Sequence, residues 1–190
     1  MGLKLLSEHL NGLKLFKPDV FKDDRGFFIE SYRKDDLLNY GIDVDFVQDN
    51  HSGSVKDTLR GMHFQYDKPQ GKLIRVTKGE AIFVEVDIRI TSDHFSKYEK
   101  FNLSSDNNHI LWVPPGFANG FLTISDWCEV QYKCSAIYNP KGESGIRWDS
   151  PKIEIKWDCD NPLLSNKDSN AQSLSEWMET EIAQSQWYKS

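Results

Sequence analysis

Cysteine is scarce in this 190-residue chain: Cys128, Cys134 and Cys159 are the three present, and no two of them form a Cys-x-x-Cys pair. An odd, unpaired set of this kind argues against a disulfide framework and against a thiolate zinc site, and it is typical of a reducing compartment. The three residues are therefore interpreted as ordinary buried thiols.

Histidine pairs and phosphate-binding loops are also missing. No two of the five histidines lie within four positions of each other, so no single strand or helix face offers two imidazoles to one metal ion. A metal held by residues from distant positions stays open. The chain has no Gly-x-Ser-x-Gly segment and no glycine-rich phosphate loop, which argues against a serine nucleophile and against Walker or Rossmann nucleotide binding. Proton transfer is the enzymatic chemistry that remains.

Long apolar runs and an excess of positive charge are absent as well. No run approaches the roughly 20 residues of a membrane span, and the first nine residues are too polar for the core of a signal peptide. The net charge is −6, with Lys and Arg scattered among acids, so neither a nucleic acid nor an anionic membrane is expected as a partner. We expect a cytoplasmic protein.

Short apolar segments separated by polar turns dominate the rest of the chain. The clearest predicted strand covers residues 80–89, in which Ile82, Val84, Val86 and Ile88 mark one face. Little helix fits between the segments, so the pattern predicts an antiparallel all-β sandwich or barrel, within one domain covering residues 1–190. Further strands are predicted at residues 13–21, 27–32, 44–50, 98–103, 110–113, 120–124, 129–136 and 153–157.

Two helices are predicted outside this strand-rich region. A short one is expected at residues 35–40. A C-terminal helix is expected within residues 171–190, where Ser173 and Glu176 have the spacing of a capping box and an apolar stripe runs from Leu174 to Ile182.

Polar side chains with complementary proton chemistry occur within this pattern. His63 is a candidate base, Tyr132 a candidate acid and Lys72 a candidate cation for an oxyanion. Spacing alone supports these roles weakly, because a strand histidine is more often a hydrogen-bonded core residue and a strand tyrosine more often a packing aromatic.

Several ordered blocks between about residues 13 and 170 strongly resemble the dTDP-4-dehydrorhamnose 3,5-epimerase family. The resemblance implies a cupin-type β-jelly roll that needs no metal or other cofactor and forms a homodimer by exchanging N-terminal strands. The blocks are DRGFFIESY (24–32), FVQDNHS (46–52), LRGMHFQ (59–65), PQGKL (69–73), LWVP (111–114) with GFA (116–118), YK (132–133) and LSNKD (164–168).

The same resemblance implies roles for individual residues. His63 matches the general base, Asp168 the carboxylate that orients it, Tyr132 the acid on the opposite face, and Lys72 the cation near the sugar C4 oxygen. Other residues match positions that bind the nucleotide diphosphate or the sugar: Arg25, Glu30, Gln48, Asn50, Arg60, Glu143 and Lys167. Asn119 is also expected at the substrate, although the family usually has His in its place.

These matches imply an epimerase that inverts C3, or C3 and C5, of a nucleotide-linked 4-keto-6-deoxy sugar. Such a sugar would be used in the biosynthesis of bacterial surface polysaccharide. The 4-keto group acidifies C3–H and C5–H, so one base and one acid on opposite faces suffice. Asn119 cannot take a positive charge near pH 7, which leaves a GDP-linked 4-keto-heptose open as the substrate in place of a dTDP-linked hexose. The remaining hypotheses are a nucleotide-sugar 3,4-ketoisomerase and a non-catalytic sugar-nucleotide binding protein.

Overall fold

Two antiparallel sheets stacked over a shared hydrophobic core make up most of the computed structural model, which describes residues 2–185. This arrangement confirms the predicted all-β jelly roll. The six-stranded sheet has the order β1 (Leu3–His9), β2 (Leu13–Pro18), β10 (Ile110–Val113), β7 (Lys72–Lys78), β12 (Trp127–Cys134) and β5 (Gln48–Val55). The five-stranded sheet has the order β13 (Glu143–Gly145), β6 (Leu59–Gln65), β11 (Phe117–Thr123), β8 (Glu80–Asp87) and β9 (Tyr98–Ser104).

Alternation along the strands decides which side chains enter the space between the sheets. On β7, Ile74 and Val76 belong to the core between the sheets, and on β12 Cys128 and Val130 do. Successive strand residues point to opposite faces, so Lys72 and Tyr132 share the inner face with them. The sandwich interior is therefore apolar over most of its length and polar at one end.

A separate hairpin near the N-terminus lies outside both large sheets. It consists of β3 (Val20–Asp23) and β4 (Gly26–Ile29), which pair only with each other among the described residues. Three of its phenylalanines are unusually exposed: Phe21 at 48%, Phe27 at 71% and Phe28 at 59%. Exposed aromatic clusters of this kind mark interaction surfaces.

The helices are short and peripheral: α1 (Lys34–Leu38), α2 (Asn166–Ser169), α3 (Leu174–Met178) and α4 (Glu181–Gln184). The predicted C-terminal helix forms as two pieces, because the Thr180 hydroxyl caps a new helix by accepting from the Ala183 N–H at 3.2 Å. The Ser173–Glu176 capping box is present. Residues 186–190 of the predicted helix lie outside the described part of the chain.

No helix within residues 2–185 is long and apolar enough to cross a membrane.

The strand predicted at residues 153–157 is wrong. Ile153 and Ile155 are buried and their neighbours are exposed, which is the alternation that suggested a strand. The backbone instead turns, since the N–H groups of Ile153 and Glu154 both donate to the Ser150 carbonyl and Glu154 has φ of 54°. The alternation reflects packing of a loop against the outer face of the five-stranded sheet.

The C-terminal segment is anchored by Trp177, which is 2% exposed and packs edge-on against Phe64 with ring centroids 4.8 Å apart. We expect Trp177→Ala to lower the free energy of unfolding by about 3–5 kcal/mol, because a buried aromatic is lost and a cavity remains. Urea denaturation measures this loss. The control Trp127→Ala removes a half-exposed tryptophan and should cost much less; equal losses would contradict the packing role of Trp177.

Candidate active site

A cavity of about 170 Å³ opens at the polar end of the sandwich, between the two sheets. Three of the four predicted catalytic residues line it, together with two predicted binding residues. Its polar lining is Ser52, Arg60, His63, Lys72, Asn119 and Tyr132, and its apolar lining is Ile74, Phe83, Phe121 and Val130.

Two glycines bring β6 and β11 close together beside this cavity. Gly61 has φ of 122°, and a Cβ at its position would lie 2.6 Å from the Cα of Gly120. Only a residue without a side chain tolerates both this conformation and this approach. The close pairing places Asn119 directly opposite His63 in the sheet.

His63 is held by Asp168, whose Oδ1 lies 2.5 Å from Nε2 of the ring. With Nε2 donating to the carboxylate, Nδ1 is the ring nitrogen that can accept a proton. The two residues are 105 positions apart in sequence, and Asp168 enters from α2, outside both sheets. This is the geometry of a general base with an orienting carboxylate.

Asp168 is buried and ionised. Burial by itself raises the pKa of its carboxyl, but hydrogen bonds from His63, Ser165 and the Gly61 backbone outweigh burial and hold the pKa below its ordinary value. Ser165 also caps α2 by accepting from the Asp168 N–H at 3.1 Å, and its hydroxyl donates to Oδ2 at 2.9 Å. One serine therefore fixes both the backbone and the side chain of Asp168.

Lys72 extends into the cavity from β7 and donates from Nζ to Oδ1 of Asn119 at 3.3 Å. The Asn119 amide donates in turn from Nδ2 to Oε1 of Glu85 at 2.5 Å. Burial lowers the pKa of Lys72, and the negative charges around it, Glu85 among them, act in the opposite direction. The Lys72 side chain thus lies in the same cavity wall as His63, and the carboxylates of Glu85 and Glu143 oppose the loss of its proton.

Tyr132 lies on the six-stranded sheet, with the Lys72 ammonium 5.9 Å from its ring centroid. Burial raises the pKa of its hydroxyl, and a hydrogen bond with Asn50 and the charge of Arg60 only partly offset this. At neutral pH the group is therefore a phenol with a proton to give.

A second polar cluster surrounds Glu143, which forms an ion pair with Lys167 at 2.7 Å and hydrogen bonds to the Tyr138 hydroxyl. Burial raises the pKa of Glu143, but these two partners outweigh it and the pKa lies below its ordinary value. Gln48 connects to the cluster by accepting from the Tyr138 N–H at 2.7 Å and donates to Asn50 at 3.0 Å. Four predicted binding residues thus form one linked group.

The remaining predicted binding residues divide into one inside the cavity and two outside it. Arg60 lines the cavity and is steadied by Ser54, which accepts from its Nε at 3.0 Å. Arg25 does not reach the cavity of its own chain: its side chain is 90% exposed and pairs with Asp23 at 2.6 Å. Glu30 also lies apart from the cavity lining, 4.0 Å from Arg33 Nε.

Three residues of this region were not predicted from the sequence: Glu85, Ser165 and Tyr138. Ser165 could have been found, because Ser-x-x-Asp before a short helix is an N-cap signal. Glu85 carries no local signal, since its partner Asn119 is 34 positions away. Tyr138 is five positions from Glu143, but its contact with Gln48 spans 90 positions. No group of three or more His, Cys, Asp or Glu side chains within residues 2–185 is arranged to hold a metal ion.

Most of the chain is similar to known proteins. The profile of the family described as dTDP-4-dehydrorhamnose 3,5-epimerase matches residues 7–176. A dTDP-4-dehydrorhamnose 3,5-epimerase from Methanothermobacter thermautotrophicus is 43% identical over 176 residues, which is 91% of this chain and 95% of that protein.

Solved structures give the same result. The 3,5-epimerase of Legionella pneumophila in complex with dTDP-4-keto-L-rhamnose superimposes with a TM-score of 0.89 at 38% identity, covering 91% of this chain and 93% of that one. The dTDP-4-dehydrorhamnose 3,5-epimerase of Bacillus anthracis with TDP and PPi bound has a TM-score of 0.89 at 40% identity. The match covers 90% of this chain and 99% of that one.

Proposed function

The chain belongs to the dTDP-4-dehydrorhamnose 3,5-epimerase family of isomerases, and from this premise we propose that it inverts C3 and C5 of a dTDP-linked 4-keto-6-deoxyhexose. The observation that carries the proposal is that His63, Tyr132 and Lys72 line one cavity. A base and an acid in one enclosed space, with a cation beside them, are the groups that an epimerisation through an enolate requires.

The first step is proton removal by His63. Its Nδ1 takes the C3 proton while the electrons of the C–H bond move into an enolate on the C4 oxygen. The Asp168 carboxylate at 2.5 Å fixes the tautomer and stabilises the imidazolium that forms. We assign the Lys72 side chain, which lines the same cavity, to the C4 oxygen, because a nearby cation stabilises the negative charge that develops there.

The second step is reprotonation from the opposite face. Tyr132 projects from the six-stranded sheet and His63 from the five-stranded sheet, so a sugar ring between them meets one group on each face. The Tyr132 hydroxyl donates its proton to C3, the C4 carbonyl re-forms, and the centre is inverted. His63 then loses its proton and Tyr132 regains one. The same cycle at C5 completes the reaction.

We assign the nucleotide part of the substrate to residues other than His63, Tyr132 and Lys72. Arg60 lies at the cavity wall, and a guanidinium suits a diphosphate because its fork donates two parallel hydrogen bonds. Arg25 and Glu30 lie on or beside the exposed β3–β4 hairpin and away from the cavity of their own chain. We propose that in a homodimer this hairpin packs against the second copy of the chain, which then covers Phe21, Phe27 and Phe28.

Incubation in D2O tests the proposal. With a dTDP-linked 4-keto-6-deoxyhexose, NMR should show deuterium entering C3 and C5 and the C3, C5 epimer accumulating. Absence of exchange at both carbons, with dTDP- and GDP-linked sugars alike, would reject the epimerase chemistry. A carbonyl moved from C4 to C3 would indicate a ketoisomerase, and exchange at C3 alone would reduce the proposal to a 3-epimerase.

A binding measurement tests the choice of nucleotide. Asn119, in place of the histidine usual in the family, is the observation that favours a GDP-linked 4-keto-heptose as the second candidate substrate. Titration calorimetry with dTDP and GDP compares the fit of the two bases directly. Tighter binding of GDP, together with exchange only in GDP-linked sugars, would replace the dTDP assignment and leave the mechanism intact.

A further inference from the structure

Three polar side chains form a row across neighbouring strands of the five-stranded sheet. Asn119 on β11 lies opposite His63 on β6 and opposite Glu85 on β8. Glu85 is 0% exposed, and within residues 2–185 its Oε2 has no hydrogen-bond partner. The proposed mechanism gives this carboxylate no task, although an ionisable group held so deeply costs stability unless it is compensated.

We propose that Glu85 is a positioning residue that holds Lys72 as an oriented ammonium at the cavity wall, acting through Asn119. This inference rests on the proposed function, in which Lys72 stabilises the enolate oxygen. Glu85 itself is absent from the cavity lining, so it acts on Lys72 and not on the sugar.

The hydrogen bonds that join Lys72, Asn119 and Glu85 have one consistent arrangement. An ammonium only donates and a carboxylate only accepts, so a group between them must accept on one side and donate on the other. The Asn119 amide does this, with Oδ1 facing Lys72 at 3.3 Å and Nδ2 facing Glu85 at 2.5 Å. Glu85 therefore determines which way the amide points, and the amide determines where Nζ lies.

Asn119 also keeps the two charges apart. An amide does not titrate in the physiological range, so it passes on an orientation without taking the proton itself. A histidine between the same partners would add a third titrating group. With Asn119 in place, Lys72 and Glu85 are the two titrating groups of this hydrogen-bonded set, and the amide between them carries no charge.

The charge balance around Lys72 makes Glu85 important. Burial lowers the pKa of the Lys72 ammonium and raises that of the Glu85 carboxyl well above its ordinary value, while their mutual attraction opposes both shifts. Without a carboxylate, the buried lysine loses its proton at lower pH. The other titratable or charged groups that act on Lys72 or line the cavity with it are Cys134, Tyr132, Glu143, Lys167, His63 and Arg60.

Glu85→Gln tests the proposal with little change in shape. With reductively ¹³C-methylated lysines, NMR titration of the protein without substrate should show the Lys72 midpoint falling by about one pH unit or more, because an opposite charge nearby is lost. The alkaline limb of kcat should move to lower pH by a similar amount. At neutral pH kcat should fall about 10- to 100-fold, with dTDP affinity unchanged.

A matched control and a second variant complete the test. Glu99 faces Glu85 from β9 but is partly exposed and pairs with His9, so Glu99→Gln should leave the Lys72 titration unchanged. Asn119→Leu keeps Glu85 but removes the amide that joins it to Lys72, and it should also lower kcat. If Glu85→Gln does not fold, this second variant still tests the positioning role. In a Lys72→Met background, Glu85→Gln should cost nothing further.

The outcomes separate this inference from the proposed function. An unchanged Lys72 midpoint and an unchanged pH profile in Glu85→Gln, or additive losses with Lys72→Met, would overturn the positioning role. If the wild-type chain shows no exchange on any sugar while the Lys72 midpoint still depends on Glu85, the epimerase proposal fails and the charge pairing stands.

Discussion

Replacing His63 by asparagine is expected to slow deuterium entry at C3 by about 10²- to 10⁴-fold, the usual range for loss of a general base. The asparagine side chain is shorter than histidine and ends near the position of Nδ1, so it does not reproduce the contact of Nε2 with Asp168, which is 2.5 Å in the native chain. The buried carboxylate keeps the Ser165 hydroxyl and the Gly61 backbone N–H as partners, so we expect the fold to be preserved. What is lost is the nitrogen that accepts the C3 proton in the proposed mechanism.

The measurement is the initial rate of C3–H loss by NMR in D2O, with dTDP affinity measured alongside. Affinity should stay near the wild-type value, since the substitution removes no group assigned to the nucleotide. His94→Asn is the matched control, because His94 lies in the loop between β8 and β9 and outside the cavity lining. Wild-type exchange in the His63 variant would assign the base to another residue.

Replacing Tyr132 by phenylalanine should separate exchange from inversion. His63 still removes the C3 proton and returns a deuteron to the same face, so isotope enters the substrate while the epimer fails to accumulate. We expect product formation to fall about 10²- to 10⁴-fold, again the range for a lost acid. The proton that the variant lacks is the one held on the partly buried Tyr132 phenol, whose pKa is raised by burial.

Two NMR readouts from one sample decide this prediction: the deuterium content of C3 and the fraction of epimer. Tyr98→Phe is the control, because Tyr98 packs against the outer cluster of the five-stranded sheet and its hydroxyl accepts from the Lys156 N–H. Exchange and inversion that fall together would mean that Tyr132 acts earlier than reprotonation. Unchanged inversion would remove it from the mechanism.

Much of the fold was predictable because strand alternation is a local property. Residues 80–89 show it clearly and form β8 (Glu80–Asp87). The edge strand β1 (Leu3–His9) was not predicted, because an exposed edge strand needs only a weak apolar pattern. Residues 153–157 show alternation without a partner strand, and a pattern of one segment cannot reveal whether another segment pairs with it.

The site residues also divide into those that could be predicted from the sequence and those that could not. His63, Lys72 and Tyr132 carry their chemistry in their residue types, and the cavity brings them together. Glu85 is on the face of β8 that points away from the apolar side chains recognised in the sequence. In a sheet with only one covered face, this second face would be exposed to water. Both faces of β8 are covered, so Glu85 is buried, and that requires knowledge of the second sheet.

Asp168 reaches the ring of His63 from α2, a helix that belongs to neither sheet. The main contact of α2 with the sandwich is with β6, and α2 takes part in no strand pairing. Substitutions in this one turn therefore alter the electrostatics of the base without shifting any strand register. The orienting carboxylate of the candidate base is therefore carried by a structural element separate from the two sheets that form the cavity.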